Sequence, residues 1–143
     1  MQPLAQSRPE RTQFVVRGVM RLLIDHGYAP LAELPLGNGR RADVAGLGPA
    51  GEIIIVECKS CLEDYRVDQK WREYAPYCDA FYFAVAEDFP REVIPEDVGL
   101  IVADQFGGAF IRPAAEQPTL AAARRRSLLL SYARLAAARL ASS

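Results

Sequence analysis

The sequence has little of what membrane-spanning, secreted or disulfide-bonded proteins need. No stretch approaches the roughly 18 consecutive apolar residues that cross a bilayer. Residues 1–9 are polar and lack the apolar segment of a signal peptide. The three cysteines (Cys58, Cys61 and Cys78) cannot all pair with one another, and a reducing compartment disfavours disulfides. We therefore expect a cytoplasmic protein that does not contact a membrane.

Charge is nearly balanced overall but unevenly distributed along the chain. A net charge of −1 is too low to indicate nucleic-acid binding by itself. Residues 117–143 contain five arginines and no acidic residue, whereas the first 116 residues hold 12 basic and 18 acidic groups. The length of 143 residues suits a single domain, residues 1–143. We expect an acidic, metal-binding body followed by a basic C-terminal helix over residues 119–141.

Apolar periodicity and turn residues predict an α/β chain. Ser7 and Glu10 form a capping box at the start of the first helix, which Gly27 ends. The predicted strands are residues 31–36, 41–48, 52–59, 80–86, 100–103 and 109–112, with a helix over residues 63–77 and a helical turn over residues 90–95. The resulting order is α-β-β-β-α-β, followed by smaller elements and the final helix.

The predicted hairpin of residues 41–59 carries the residues that suggest chemistry. Pro49-Ala50-Gly51 suits a three-residue loop, and the resulting pairs sum to 100, so that Asp43 lies opposite Glu57. Opposed side chains have Cβ atoms about 5 Å apart, and like charges there destabilise the sheet. The two carboxylates therefore need a cation, and Mg²⁺, which prefers oxygen ligands, is the natural candidate. The backbone carbonyl of Cys58 can add a ligand, and Lys59 shares the carboxylates' face, where an ammonium can orient a water nucleophile.

Two other interpretations of these residues stay open at this point. Asp43 and Glu57 can be surface carboxylates that form plain salt bridges with Arg41 and Lys59. Cys58 and Cys61 form a C-x-x-C pattern, which is typical of redox or zinc sites. Cys58 lies inside a predicted strand, however, and the sequence has no second C-x-x-C pattern, so we favour the metal site.

Asp43 followed by Glu57-Cys58-Lys59 on the next strand resembles the PD-(D/E)XK nuclease superfamily. Further segments resemble the MmcB family of bacterial DNA-repair proteins, and the similarity extends from about residue 8 to residue 135. These segments are Arg40-Arg41-Ala42-Asp43-Val44, Val56-Glu57-Cys58-Lys59-Ser60, Glu63-Asp64-Tyr65-Arg66, Asp68-Gln69-Lys70-Trp71, Tyr74, Cys78-Asp79 and Gly99-Leu100-Ile101-Val102-Ala103-Asp104. The resemblance implies a restriction-endonuclease-like α/β core, in which helices flank a mixed central sheet.

The resemblance also implies residue roles. Asp43 and Glu57 match the metal-binding acids of the superfamily, and Lys59 matches its catalytic lysine. Gln69 and Lys70, on the second predicted helix, are further catalytic candidates. The expected DNA-binding residues are Arg41, Arg124, Arg125 and Arg126.

The sequence departs from the superfamily pattern at two places. Ala42 stands where the superfamily name has proline, a position that supplies no ligand. Gln69 and Tyr74 are one residue too far apart for the glutamine-tyrosine motif of exonuclease relatives. This spacing does not support an exonuclease.

We therefore expect a Mg²⁺-dependent deoxyribonuclease of DNA repair, in which Mn²⁺ substitutes for Mg²⁺. The alternative is a catalytically inactive DNA-binding or adaptor module with the same fold. DNA is the expected partner, and the sequence leaves open whether a second copy or another repair protein also binds.

Overall fold

The computed structural model describes residues 8–67 and 71–143. The helices are α1 (Arg8–Asp25), α2 (Leu62–Val67) and α3 (Ala122–Ser142). The strands are β1 (Ala29–Pro35), β2 (Arg41–Leu47), β3 (Ile53–Lys59), β4 (Ala80–Val85), β5 (Gly99–Asp104) and β6 (Gly107–Arg112). Short 3-10 turns occupy Trp71–Glu73, Ala75–Tyr77 and Arg91–Val93.

All six strands form one mixed sheet in sequence order. β1, β2 and β3 are antiparallel, β3, β4 and β5 are parallel, and β6 returns antiparallel to β5. The predicted mixed sheet and the order α-β-β-β-α-β are thus confirmed. Because parallel strands end at the same side of a sheet, β3, β4 and β5 all end on one side, which we call the carboxyl edge.

Both faces of the sheet are covered, and this explains why the predicted central strand is apolar on both sides. On one face, Val15, Val19 and Leu23 of α1 pack against a cluster that includes Ile54 and Val56. The opposite face packs against Tyr74 and the buried side chains of α3, in a cluster formed by Ile53, Ile55, Phe81, Phe83, Leu128 and Tyr132. β3 therefore lies in the middle of the protein, where side chains at its end are shielded from water.

The predicted single helix over residues 63–77 is wrong. The α-helix ends at Val67, and two 3-10 turns occupy Trp71–Glu73 and Ala75–Tyr77. Pro76 lacks an amide hydrogen and cannot stand inside an α-helix without loss of a hydrogen bond. Trp71 also stacks on Phe81, with ring centroids 5.7 Å apart, which holds this segment against the sheet.

Two predicted boundaries also shift. The last helix begins at Ala122 instead of residue 119, because the chain before it is extended and Gln117 donates side-chain hydrogen bonds to the carbonyls of Ala75 and Cys78. The first strand begins at Ala29, two residues before its predicted start.

An ion pair fastens α3 to the sheet at the end opposite the carboxyl edge. The guanidinium of Arg125 donates to both carboxylate oxygens of Asp79, at 2.7 and 2.8 Å, and to the carbonyl of Gly51. Asp79 also accepts a 2.7 Å hydrogen bond from the amide of Ile53. The two side chains are only 22–23% exposed. The pKa of Asp79 is lowered in the folded protein, mainly by the hydrogen bonds from Arg125 and then by those from backbone amides.

We expect Asp79→Asn to lower the free energy of unfolding by about 1–3 kcal/mol at pH 7, since one partner of a charged hydrogen-bonded pair is lost. Because the pKa of Asp79 is lower in the folded than in the unfolded chain, the wild-type advantage exists above the unfolded pKa of about 4. This advantage is lost as the pH falls through the pKa that Asp79 has in the folded protein. Urea unfolding at pH 7 and at pH 3 measures this, with Glu96→Gln on the surface as the control. An equal loss at both pH values would contradict the assignment.

Candidate metal centre

The sheet forks where the predicted carboxylates lie. The cross-strand pairs of β2 and β3 run from Leu47–Ile53 to Val44–Val56, so the predicted register, in which paired residue numbers sum to 100, is confirmed. Beyond that point β2 stays paired with β1, and β3 stays paired with β4. The two strands of the hairpin therefore separate, and Asp43 and Glu57 are the next residues on each side of the gap.

The two carboxylates bridge this gap by accepting hydrogen bonds from backbone amides. The amide of Cys58 donates to Oδ2 of Asp43 at 2.9 Å, and the amide of Asp43 donates to Oε1 of Glu57 at 3.3 Å. Each side chain thus accepts a hydrogen bond from the opposite strand at the place where backbone pairing has stopped. The predicted proximity of Asp43 and Glu57 is confirmed, and Glu57, which is only 2% exposed, is not a surface carboxylate.

Burial makes a negative charge on Glu57 unfavourable. Desolvation, then the hydrogen bond with Asp43 and the negative charge of Asp43, raises the pKa of Glu57 far above its ordinary value. The positive charge of Lys59 acts in the opposite direction, with a smaller effect on the pKa of Glu57. In the absence of a metal ion, the raised pKa favours the protonated form of Glu57. A divalent cation would let both groups ionise.

The donor set fits a cation that keeps part of its water shell. Across residues 8–67 and 71–143, no group of three or more His, Cys, Asp or Glu side chains could hold a metal ion. An ion at the fork would therefore take two carboxylates from this part of the chain. Backbone carbonyl and water oxygens would complete its shell, the pattern that Mg²⁺ adopts in proteins.

A buried hydroxyl links the fork to both neighbouring helices. Ser60, directly after β3, is buried and accepts a 2.9 Å hydrogen bond from the hydroxyl of Thr12 on α1. The Ser60 hydroxyl donates to Asp64 of α2 at 3.4 Å. No role was predicted for Ser60 or Thr12 from the sequence. The position of a serine directly after the motif strand was the signal that could have indicated one. These contacts hold the end of β3, and with it Lys59, in a fixed position.

One comparison with known proteins identifies a family. The family model described as "DNA repair protein MmcB-like" matches residues 1–143. This chain belongs to the MmcB-like family of DNA-repair proteins. A solved structure, the SPO1766 protein of unknown function from Silicibacter pomeroyi, is 42% identical, with a TM-score of 0.87. The match covers 96% of this chain and 91% of that one. No curated protein matches.

Membership in this family indicates a role of the MmcB-like protein in DNA repair. The described part of the chain contains no helix that is long and apolar enough to cross a membrane. Gln69 and Lys70 lie outside the described residues, as does Ser7 of the predicted capping box. The catalytic roles expected for Gln69 and Lys70 therefore stay predictions.

The arginine run of the MmcB-like protein does not lie beside the carboxylates. Arg125 is held by Asp79 and Gly51, and Arg124 stacks over the Tyr77 ring at 4.4 Å. The residues that these arginines contact come directly before the first residues of β3 and β4. Arg124 and Arg125 therefore lie about 20 Å, the length of a seven-residue strand, from the carboxyl edge. Arg126 is exposed on the same first turns of α3.

Two other arginines lie nearer the fork. Arg41 has a side chain that is 65% exposed, 3.8 Å from Glu33. Arg139, in the last turn of α3, donates to the backbone carbonyls of Ala32 and Glu33, and Glu33 falls opposite Asp43 in the β1–β2 register. Arg139 was not predicted from the sequence, because only the path of α3 across the sheet brings it near the fork.

The cysteines do not support the redox alternative. Burial, followed by the negative charges of Asp43 and Glu57, raises the pKa of the Cys58 thiol well above its usual range. A thiol that stays protonated is a poor nucleophile and a poor metal ligand. Cys61 is not bonded to another cysteine. Cys58 of this MmcB-like protein is therefore a packing residue of β3.

We expect Glu57→Gln to stabilise the metal-free protein at pH 8 by about 1–2 kcal/mol, since the amide can still accept the Asp43 amide hydrogen bond and carries no charge. The pKa of Glu57 is higher in the folded than in the unfolded state, so the wild-type protein loses stability as the pH rises above the unfolded pKa. The gain from the substitution should therefore shrink toward pH 5. Thermal unfolding in EDTA measures it, with Glu116→Gln on the surface as the control. A variant that is less stable than wild type at pH 8 would refute this interpretation.

Proposed function

We propose that this MmcB-like protein is a divalent-metal-dependent nuclease that hydrolyses phosphodiester bonds of DNA during repair. The observation that carries the proposal is the contact between the half-buried Asp43 and the buried Glu57 at the fork, with the charge of Lys59 acting on Glu57. The resemblance of these residues to the PD-(D/E)XK motif supports the same assignment. That resemblance also supports a restriction-endonuclease-like core for the observed α/β fold.

Each residue of the fork has a distinct part in this proposal. Asp43 and Glu57 would hold Mg²⁺ or Mn²⁺, with the backbone carbonyl of Cys58 as a further ligand. The bound ion would act as a Lewis acid on the phosphate and lower the pKa of a water molecule. The ammonium of Lys59 would donate hydrogen bonds to the attacking water or to the charge that develops on phosphate oxygens. Gln69 and Lys70 are further catalytic candidates on the strength of the resemblance.

The positions of the arginines suggest how DNA would lie. Arg41, two residues before Asp43 and largely exposed, can contact a phosphate beside the cleaved bond. Arg124 and Arg126 lie near the other end of the strands, four to six residues along β3 from the fork, which is about 13–20 Å or roughly four to six base pairs at 3.4 Å per step. They would contact the DNA backbone at a distance from the cleaved bond. Arg125 serves the structure through Asp79 and contributes only its positive charge.

We expect the purified protein to cleave at least one of duplex, single-stranded, nicked and branched DNA in the presence of Mg²⁺. Lys59→Ala should lower the cleavage rate by about 100-fold or more, because a preorganised donor to the developing charge is lost. Circular dichroism should show that the variant keeps its fold. Arg21→Ala, an exposed position on α1, is the control and should cleave like wild type. If wild type and Lys59→Ala are equally inert on all four substrates, the enzymatic proposal is wrong.

The rival proposal is a non-cleaving DNA-binding or adaptor module with the same fold. The presence of only two carboxylates at the fork within the described part of the chain favours it, since such a module needs no complete metal shell. This rival gives Asp43 and Glu57 no reason to bind an ion.

Calorimetric titration with Mn²⁺ separates the two proposals. We expect one binding event in wild type and none in Asp43→Asn, because the variant replaces an anionic ligand by a neutral amide. Asp97→Asn, on the surface, should bind like wild type. A wild-type protein that binds no Mn²⁺ would favour the adaptor.

A further inference from the structure

An exposed aromatic side chain stands at the carboxyl edge. Phe106, at the tip of the turn between β5 and β6, is 73% exposed. The turn is fixed because Oδ1 of Asp104 accepts hydrogen bonds from the amides of Phe106, at 2.8 Å, and Gly107, at 3.1 Å. Contact with a ligand would remove apolar surface of this ring from water, which is favourable.

Phe106 lines two neighbouring clefts. The smaller, about 210 Å³, is also lined by Phe14, Val15 and Ala103. The larger, about 510 Å³, is also lined by Val102 and Ile111. The smaller volume lies below the range of about 300–1,000 Å³ that is usual for drug-sized ligands. It suits a single flat ring system that packs against aromatic and aliphatic side chains.

These clefts adjoin the proposed metal centre. Lys59 and Asp104 both end strands at the carboxyl edge, and only β4 separates those strands. Because neighbouring strands lie about 4.8 Å apart, the two strand ends are about 10 Å apart. α1 connects them as well, since Thr12 bonds to Ser60 while Phe14 lines the smaller cleft. A DNA strand with a phosphate at the fork would place nearby nucleotides at Phe106.

The charges around the clefts favour a base over a phosphate. Glu87 and Asp104 line both clefts, and their carboxylates would repel a phosphate. Arg11 lines the smaller cleft, but its guanidinium donates to both carboxylate oxygens of Asp88 at 2.8 Å. Arg91 lines only the larger cleft, so the carboxylates prevail in the smaller one. A neutral base can stack on the ring without this repulsion. A base inside a duplex is already stacked and paired, so its faces are not available.

We propose that Phe106 stacks against an unpaired base, and that the substrates are DNA forms with single-stranded or unstacked nucleotides next to the cleaved bond. This inference rests on the proposed function, because it takes the substrate to be DNA and places the cleaved phosphate at the fork. Stacking of bases on aromatic side chains tolerates any sequence, since every base has a flat face. The proposal therefore assigns a preference for DNA structure and none for sequence.

Binding without cleavage tests the proposal. Fluorescence anisotropy in EDTA compares a labelled oligothymidylate, which does not pair with itself, with a labelled duplex of the same length. We expect wild type to bind the single strand more tightly than the duplex. Phe106→Ala should weaken single-strand binding about tenfold and leave duplex binding unchanged. Phe106→Trp should retain single-strand binding, because it keeps an aromatic face. Ile24→Ala, which removes an exposed apolar side chain far from the clefts, is the matched control.

The outcomes separate this proposal from the nuclease proposal. Tighter binding of the duplex, no binding of either DNA, or unchanged single-strand binding by Phe106→Ala would overturn the role of Phe106, whatever the cleavage assay shows. Loss of single-strand binding in Phe106→Ala with recovery in Phe106→Trp would support it, even if the protein cleaves no DNA.

Discussion

Two carboxylates share a gap between strands that have stopped pairing with each other, and the rest of the site depends on this contact. Asp43 and Glu57 replace a stretch of backbone pairing by side-chain hydrogen bonds across the fork. Such an arrangement is electrostatically unfavourable in a buried position, so the surrounding sheet must hold it. β1 fixes β2 on one side and β4 fixes β3 on the other. The outer neighbours of β2 and β3 therefore hold the two strands against the repulsion between the carboxylates.

The opposite end of the same strands supplies part of this support. Asp79 ties the start of β3 to α3 through the amide of Ile53 and the guanidinium of Arg125. Its ion pair is satisfied on both sides, in contrast with the carboxylate pair at the fork. The strands are thus anchored at one end, and the unfavourable charge is confined to the end where a cation can reach it. This division is typical of proteins that give up stability at a functional site.

The sequence predicted the site through local turn chemistry. Pro49 and Gly51 set the hairpin register, and that register predicted that Asp43 and Glu57 lie close together. The structure confirms the register as far as Val44 and Val56 and the contact between the two carboxylate residues beyond them. The separation of the strands could not be predicted, because a register rule assumes that pairing continues. Glu33, with a positive φ of 54°, shows the same limit. It interrupts the alternation of β1, so that Leu31 and Leu34 both face one core.

Elements that depend on distant contacts were predicted less well. The segment that begins at Trp71 has a helical composition, but the stacking of Trp71 on Phe81 holds it against the sheet. The arginine run looked like a single DNA-binding group, yet Arg125 pairs with Asp79, which lies 46 residues away in the sequence. Phe106 could not be identified from the sequence, because the exposure of a ring depends on its surroundings in the fold. In each case the deciding partner lies in another element.

The charges of the carboxyl edge would constrain the direction of a DNA strand that binds as proposed. Lys59 and the exposed Arg41 make the fork side the favourable place for phosphates, whereas Glu87 and Asp104 make the side near Phe106 unfavourable for them. If both proposals hold, the backbone would run along the fork and the bases would turn toward Phe106. A regular duplex cannot meet both conditions, because its bases face the complementary strand. The same distribution of charge that positions the phosphate would therefore select for DNA that is locally unpaired.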